Sequence, residues 1–119
     1  MIERLSPPGA PVPKGPYSPA VKAGGFLFLA GQVPPEKGTI QQETHGVLTN
    51  IKNMLEGLGS SMAEVVRVGV YLADGADFAE MNTVYAQYFG DNKPARTTIV
   101  CKFAADIKIE VDCVAYSGS

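Results

Sequence analysis

The stretch Lys93-Pro94-Ala95-Arg96-Thr97-Thr98-Ile99-Val100 places one guanidinium at the mouth of a β-branched run. Arginine presents a planar fork that grips a carboxylate through two parallel hydrogen bonds. Glu110 lies in a second strand-like run, Ile107 to Tyr116, where a carboxylate can bind and polarise water as a general acid or base. The Tyr17 hydroxyl, on a stiff backbone between Pro16 and Pro19, and the Asn82 amide can add orienting hydrogen bonds. Gly31, at a strand end, lets a ligand or another backbone come close. Together these groups suit a small carboxylate-bearing substrate attacked by water. They contain no nucleophile–base triad, because the lone His45 has no evident partner, and the scattered glycines form no phosphate loop. Residue types alone leave a second account open, in which Arg96 and Glu110 form a structural ion pair between adjacent strands.

The surrounding elements follow from periodicity. Gly90-Asp91-Asn92-Lys93-Pro94 stops a helix just before the arginine. That helix is predicted from Phe78, Met81, Tyr85, Tyr88 and Phe89 at helical spacing, with Asp77 and Glu80 as a capping box and Asn82 on a flank that can face a cleft. An earlier helix, Thr44 to Leu58, is predicted from Val47, Leu48, Ile51, Met54, Leu55 and Leu58, ending at Gly59. Ser61 to Glu64 has capping-box spacing and predicts one helical turn. Strands are predicted over Ala20 to Ala23, Phe26 to Ala30, Val65 to Leu72, Ala95 to Phe103 and Ile107 to Tyr116, with a Gly24-Gly25 hairpin turn between the first two. Residues 1 to 19, with six of the nine prolines, read as an extended, irregular arm; its proline-rich part is 1–16.

Two helices cover one face of such a sheet. If the apolar parity of each strand faces the helices, Arg96, Thr98 and Glu110 share the opposite face with Val100, Val65 and Tyr71. That face is too mixed to be simply solvated, and is expected to meet copies of itself in a closed oligomer.

With 119 residues the chain makes one domain, 1–119. Its net charge of −2 carries no electrostatic footprint for nucleic acid, so RNA or DNA is not an expected partner. A single histidine excludes a multi-histidine metal site, and Cys101 and Cys113 read as buried structural thiols. There is no secretory signal and no run of membrane-spanning length. The expected address is cytoplasmic, with an organelle such as the mitochondrion left open.

Five segments in order, Gly15-Pro16-Tyr17-Ser18-Pro19-Ala20, Ala30-Gly31-Gln32-Val33-Pro34, Asn82-Thr83-Val84-Tyr85-Ala86-Gln87-Tyr88-Phe89, Pro94-Ala95-Arg96-Thr97-Thr98 and Ile107-Lys108-Ile109-Glu110-Val111, resemble the RidA (YjgF) family, also described as the endoribonuclease L-PSP family. The resemblance spans essentially the whole chain. It implies an α+β, chorismate-mutase-like domain: a six-stranded mixed sheet with two helices on one face, assembling as a homotrimer with inter-subunit clefts. It implies a 2-iminobutanoate/2-iminopropanoate deaminase, hydrolysing reactive enamines and imines such as 2-aminoacrylate, released by pyridoxal-phosphate enzymes, to 2-keto acids and ammonia, with no cofactor or metal. By position, Arg96 is similar to the family's carboxylate-binding arginine and Glu110 to the glutamate that positions water. Tyr17, Gly31, Asn82 and Thr98 match substrate-binding positions.

Three departures accompany the resemblance. Many members have Cys where this chain has Thr98, although the backbone carbonyl there is the group implied to meet the imine. Many have Ser where this chain has Ala30. The segment from Arg96 to Glu110 is one residue shorter and lacks a common proline. Two further functions go with the family: endoribonuclease or translation inhibitor, which the acidic balance opposes, and a non-enzymatic small-carboxylate binder or chaperone-like protein.

Overall fold

The structure, a computed structural model, describes residues 1–117; the last two residues of the expected 1–119 domain lie outside the described part. Strands β1 (Glu3–Leu5), β2 (Ala20–Ala23) and β3 (Phe26–Gln32) precede helix α1 (Ile40–Gly57). Strand β4 (Val65–Leu72), helix α2 (Phe78–Phe89) and strands β5 (Ala95–Val100) and β6 (Ile109–Tyr116) complete the chain. The six strands form one sheet in the order β1-β2-β3-β6-β4-β5. Only β4 and β5 pair in parallel, and they are the two strands joined by α2, as a parallel crossover requires.

α1 starts earlier than its apolar stripe suggests. Thr39 accepts a hydrogen bond from the Gln42 N–H, and the Gln42 side chain accepts from the Thr39 N–H, which closes a capping box outside the periodic region. The helix stops at Gly59 as expected, with φ +83° there. α2 ends at Gly90, φ +54°. Its start differs from expectation: Asp74, not Asp77, caps the preceding 3-10 turn by accepting from the Ala76 N–H. The turn at Met62–Glu64 forms without a side-chain cap from Ser61.

The core lies between the sheet and the helices, where Leu27, Leu48, Ile51, Leu55, Leu72 and Met81 are buried. Each such side chain stabilises the fold by about 1.5–3 kcal/mol relative to exposure. Phe78 departs from the expected stripe and stays 45% exposed at the start of α2. The arm is not wholly irregular, because Glu3–Leu5 adds an antiparallel edge strand to β2. β5 and β6 are each shorter than expected, leaving Cys101 half-buried in the loop between them; only Cys113 is a buried thiol. Val65 faces the core beside Ala115, contrary to expectation, because the β4–β6 register slips between Val65 and Arg67 and turns Val66 outward.

Candidate functional site

Register decides which groups can meet, because paired residues of neighbouring strands project to the same side of a sheet. Glu110 pairs with Tyr71, and Tyr71 with Ile99; Ile99 is 45% exposed on the face without helices. Arg96 pairs with Val68, and Val68 with Cys113, both buried beneath the helices. Thr98 pairs with Val70, also buried. Arg96 and Thr98 therefore face the helices, and the expectation that they share a face with Glu110 is overturned. β4 also lies between β5 and β6, so the two residues are not on adjacent strands and the structural ion pair does not exist within the chain. The apolar parity misleads at β5 because this edge strand turns Ile99 outward and gives its helix-facing slot to an arginine.

Arg96 stands on aromatic rings. Its guanidinium carbon lies 4.7 Å from the Tyr85 ring centroid and 5.7 Å from that of Phe78, both on α2. Among the described residues the ion pairs are Lys37–Asp106, Lys52–Glu56 and Lys108–Glu43, so no carboxylate neutralises Arg96. A pocket of about 360 Å³ opens beside it, lined by Asn82, Tyr85, Phe89, Lys93 and Pro94. Asn82 thus faces a cleft, as its place on the helix flank suggested. The Tyr85 and Thr98 hydroxyls are buried, with no hydrogen-bond partner among the described residues.

Glu110 belongs to a different pocket, about 310 Å³, which it shares with Tyr17, Pro19, Gly31, Gln32 and Ala105. Gly31 has a local reason to be glycine: a Cβ there would collide with the Glu110 carboxylate. The β3–β6 register is irregular between Leu29 and Gln32. The Gln32 side chain holds this irregularity, donating to the Ala30 carbonyl at 3.0 Å and accepting from Asn50 of α1 at 2.9 Å. The start of β6 is fixed by buried Glu43, which accepts from the Lys108 N–H at 2.8 Å and the Gly38 N–H at 3.2 Å. Burial pushes the Glu110 carboxyl above the usual carboxylate range, and the nearby Asp112 charge adds to the rise.

The remaining candidates sort cleanly. His45 is a helix–helix contact, its Nδ1 3.0 Å from the Tyr88 hydroxyl, which also lies 2.8 Å from Thr49 Oγ1. Burial pushes the Cys113 thiol up to about 12, which leaves it inert as a nucleophile. From sequence alone Tyr85 belongs to a core stripe. Its i, i+3 relation to Asn82 is the signal that placed it on the same flank.

Fold and geometry together define a two-layer α+β protein in which an arginine without an ion-pair partner and a half-buried glutamate occupy opposite faces of one sheet. The family model described as Endoribonuclease L-PSP matches residues 8–117, and the chain belongs to that family, which includes the RutC and YjgF proteins. A RutC family protein of Pyrococcus horikoshii is 48% identical over 98% of each chain. "Protein MMF1, mitochondrial" of Saccharomyces cerevisiae is 37% identical over 94% of this chain and 79% of its own. The crystal structure of NMB1025, a YjgF family member from Neisseria meningitidis, superposes with a TM-score of 0.88 at 31% identity, covering 100% of this chain and 97% of that one. Among the described residues no helix is long and apolar enough to cross a membrane.

Proposed function

We propose that the protein is a 2-iminobutanoate/2-iminopropanoate deaminase working as a homotrimer, with each active site assembled from two subunits. The observation that carries this reading is the separation of Arg96 and Glu110 onto opposite faces, each in a pocket that lacks the other's chemistry. The Arg96 pocket offers an unneutralised cation but no proton acceptor of raised affinity. The Glu110 pocket offers the proton acceptor but no guanidinium. The face without helices exposes Phe26, Phe28, Ile99 and Tyr116, an apolar surface that a second copy would cover. A cyclic assembly that joins the edge-strand pocket of one copy to the open-face pocket of the next brings the two halves together.

In the joined site Arg96 holds the substrate carboxylate and Asn82 helps to orient it. The Glu110 carboxylate takes a proton from water as its oxygen bonds to the imine carbon. Returned to the nitrogen, that proton completes the carbinolamine; a second proton, passed from the carbinolamine hydroxyl to the nitrogen through Glu110, then lets the C–N bond break, so that ammonia leaves as the carbonyl of the 2-keto acid forms. A carboxyl with raised proton affinity suits both halves of that exchange. 2-Aminoacrylate enters the same course after protonation of its methylene carbon gives 2-iminopropanoate. Tyr17 and Gly31 line the water side, and the Thr98 backbone lies at the imine. The chain needs no cofactor for this chemistry, and a cytoplasmic or mitochondrial location near pyridoxal-phosphate enzymes would supply the substrate; neither membrane nor nucleic acid takes part.

The test generates 2-aminoacrylate or 2-iminobutanoate in situ, adds the purified protein, and follows keto-acid appearance. Wild type should accelerate it. Arg96→Ala should lose about 2–4 kcal/mol of transition-state stabilisation, a rate loss of roughly 30- to 1,000-fold, without change in fold or assembly. Undiminished turnover in that variant would remove the mechanism. The family's description as an endoribonuclease raises RNA cleavage instead; cleavage that survives Arg96→Ala and repurification would favour that reading.

A further inference from the structure

Tyr85 is out of place as a core residue. It is 9% exposed, yet its hydroxyl has no hydrogen-bond partner among the described residues. Burying an unpaired hydroxyl is unfavourable, and phenylalanine would fill the same space without that cost. Phe89, its neighbour at a ring separation of 4.6 Å, does so one turn further along α2. What distinguishes Tyr85 from Phe89 is the guanidinium: Arg96 lies over the Tyr85 ring, whereas no such contact is made by Phe89.

Arg96 needs a platform for a reason particular to its strand. β5 is an edge strand with a neighbour on one side only. Its side chain has no carboxylate partner to fix it, and a long flexible side chain left in solvent would have to be ordered each time an anion binds. A ring beneath the guanidinium limits its rotamers, attracts its charge through the quadrupole, and leaves the hydrogen-bonding edge of the fork free for a ligand. Phe78, at 5.7 Å, supplies a second, exposed ring. Burial pushes the Tyr85 phenol up and outweighs the opposing pull of the adjacent Arg96 charge, so the ring stays neutral beneath the cation.

We infer that Tyr85 is the positioning residue of the anion site: its ring holds Arg96 in the orientation that receives a carboxylate, and it acts on the bound anion through that arginine. The inference rests on the carboxylate-binding role proposed above for Arg96, but not on turnover. It is tested on the full chain by calorimetric binding of 2-oxobutanoate, a 2-keto acid that cannot react, with melting temperature and sedimentation as controls.

Tyr85→Leu should weaken 2-oxobutanoate binding by about 3- to 30-fold, the range of a partly desolvated cation–π contact. Tyr85→Phe should retain affinity within about twofold, because the ring is kept. In an Arg96→Ala background, Tyr85→Leu should have no further effect on affinity, whereas a residue that merely supports the fold would still lower it. In the imine assay Tyr85→Leu should raise KM more than it lowers kcat. Affinity retained in a folded Tyr85→Leu protein, an equal loss in Tyr85→Phe, or additivity with Arg96→Ala would each overturn the inference, as would a wild type that binds no 2-oxobutanoate. A wild type that binds the keto acid with this pattern but does not accelerate imine decay would leave the inference standing and remove the deaminase reading.

Discussion

The two ends of the proposed chemistry are built by opposite means. Arg96 sits on an edge strand, held from below by aromatic rings of a helix and open to solvent at its fork. Glu110 sits on an interior strand, pressed against a glycine and close to a second carboxylate. The first pocket keeps a charge available without neutralising it. The second makes a charge harder to form, and so yields a group able to take and return a proton. Neither device serves the other's purpose. An unpaired cation beside Glu110 would hold its carboxyl ionised, and burial beside Asp112 would do nothing for a guanidinium that is always charged. Separating them by a sheet keeps each environment intact, and in the proposed assembly they come together only where two copies meet.

The strongest way to break that comparison is to mix inactive proteins. Arg96→Ala and Glu110→Gln should each be close to inactive as homo-oligomers. Unfolded together and refolded at equal amounts into random trimers, they should recover about a quarter of the wild-type rate, because each mixed trimer contains one junction that pairs an intact arginine half with an intact glutamate half. A mixture no more active than its parents would show that one chain supplies both halves and that the opposed-face arrangement does not describe the working site.

A second perturbation acts on the glutamate half alone. Gly31→Ala puts a methyl group where the Glu110 carboxylate now lies, and the carboxylate, being the far end of a flexible side chain, must move. Gly31 does not have a positive φ, so alanine is compatible with its backbone and should leave stability unchanged or raise it by about 0.4–1 kcal/mol. Turnover should nevertheless fall by about 100-fold, the scale expected when a catalytic group is displaced by roughly an ångström. Binding of 2-oxobutanoate, which depends on the arginine half, should fall far less. Equal losses in binding and turnover would mean that the two halves are not separable.

The sequence made most of the framework legible and one half of the site's geometry illegible, for a physical reason. Helical stripes and strand alternation report burial against a core, so α1, α2, β4 and the inward parity of β6 could be read directly. β1 could not, since three residues ahead of a proline-rich arm carry no alternation to read. Gly31, Glu110 and Asn82 were legible as candidates for one site with Arg96; the structure puts Gly31 and Glu110 in one pocket and Asn82, on its expected flank, beside Arg96 in another. The orientation of Arg96 was not. Parity assumes that apolar residues point to the chain's own core, and β5 breaks the assumption by exposing Ile99 while packing an arginine on tyrosine. A cation can take a core-facing position when a ring receives it, and no spacing rule within β5 announces a ring contributed by α2. Tyr85 was hidden for the complementary reason: in a stripe of large apolar residues its ring reads as core, and nothing in the spacing of α2 announces the guanidinium it receives from β5.

The smallest expected effect tests what raises the proton affinity of Glu110. Burial is the larger cause and Asp112 the smaller. Asp112 packs against Gly69 and accepts a hydrogen bond from the Tyr71 hydroxyl at 2.9 Å. Asp112→Asn keeps the size and the acceptor oxygen but removes the charge. Removing a like charge favours ionisation, so the Glu110 pKa should fall part of the way towards its ordinary value and no further, because burial remains. If Glu110 acts as an ionised base, the acidic limb of the kcat/KM profile should move to lower pH, with little change at neutral pH. The same shift has a signature in stability. A carboxyl whose folded-state pKa is raised binds more protons folded than unfolded between the two values, so stability declines as pH rises through that window. Asp112→Asn should narrow the window and flatten the decline, measured as melting temperature against pH. An acidic limb that moves upward, or a steeper decline, would mean that Asp112 supports Glu110 through structure rather than through charge.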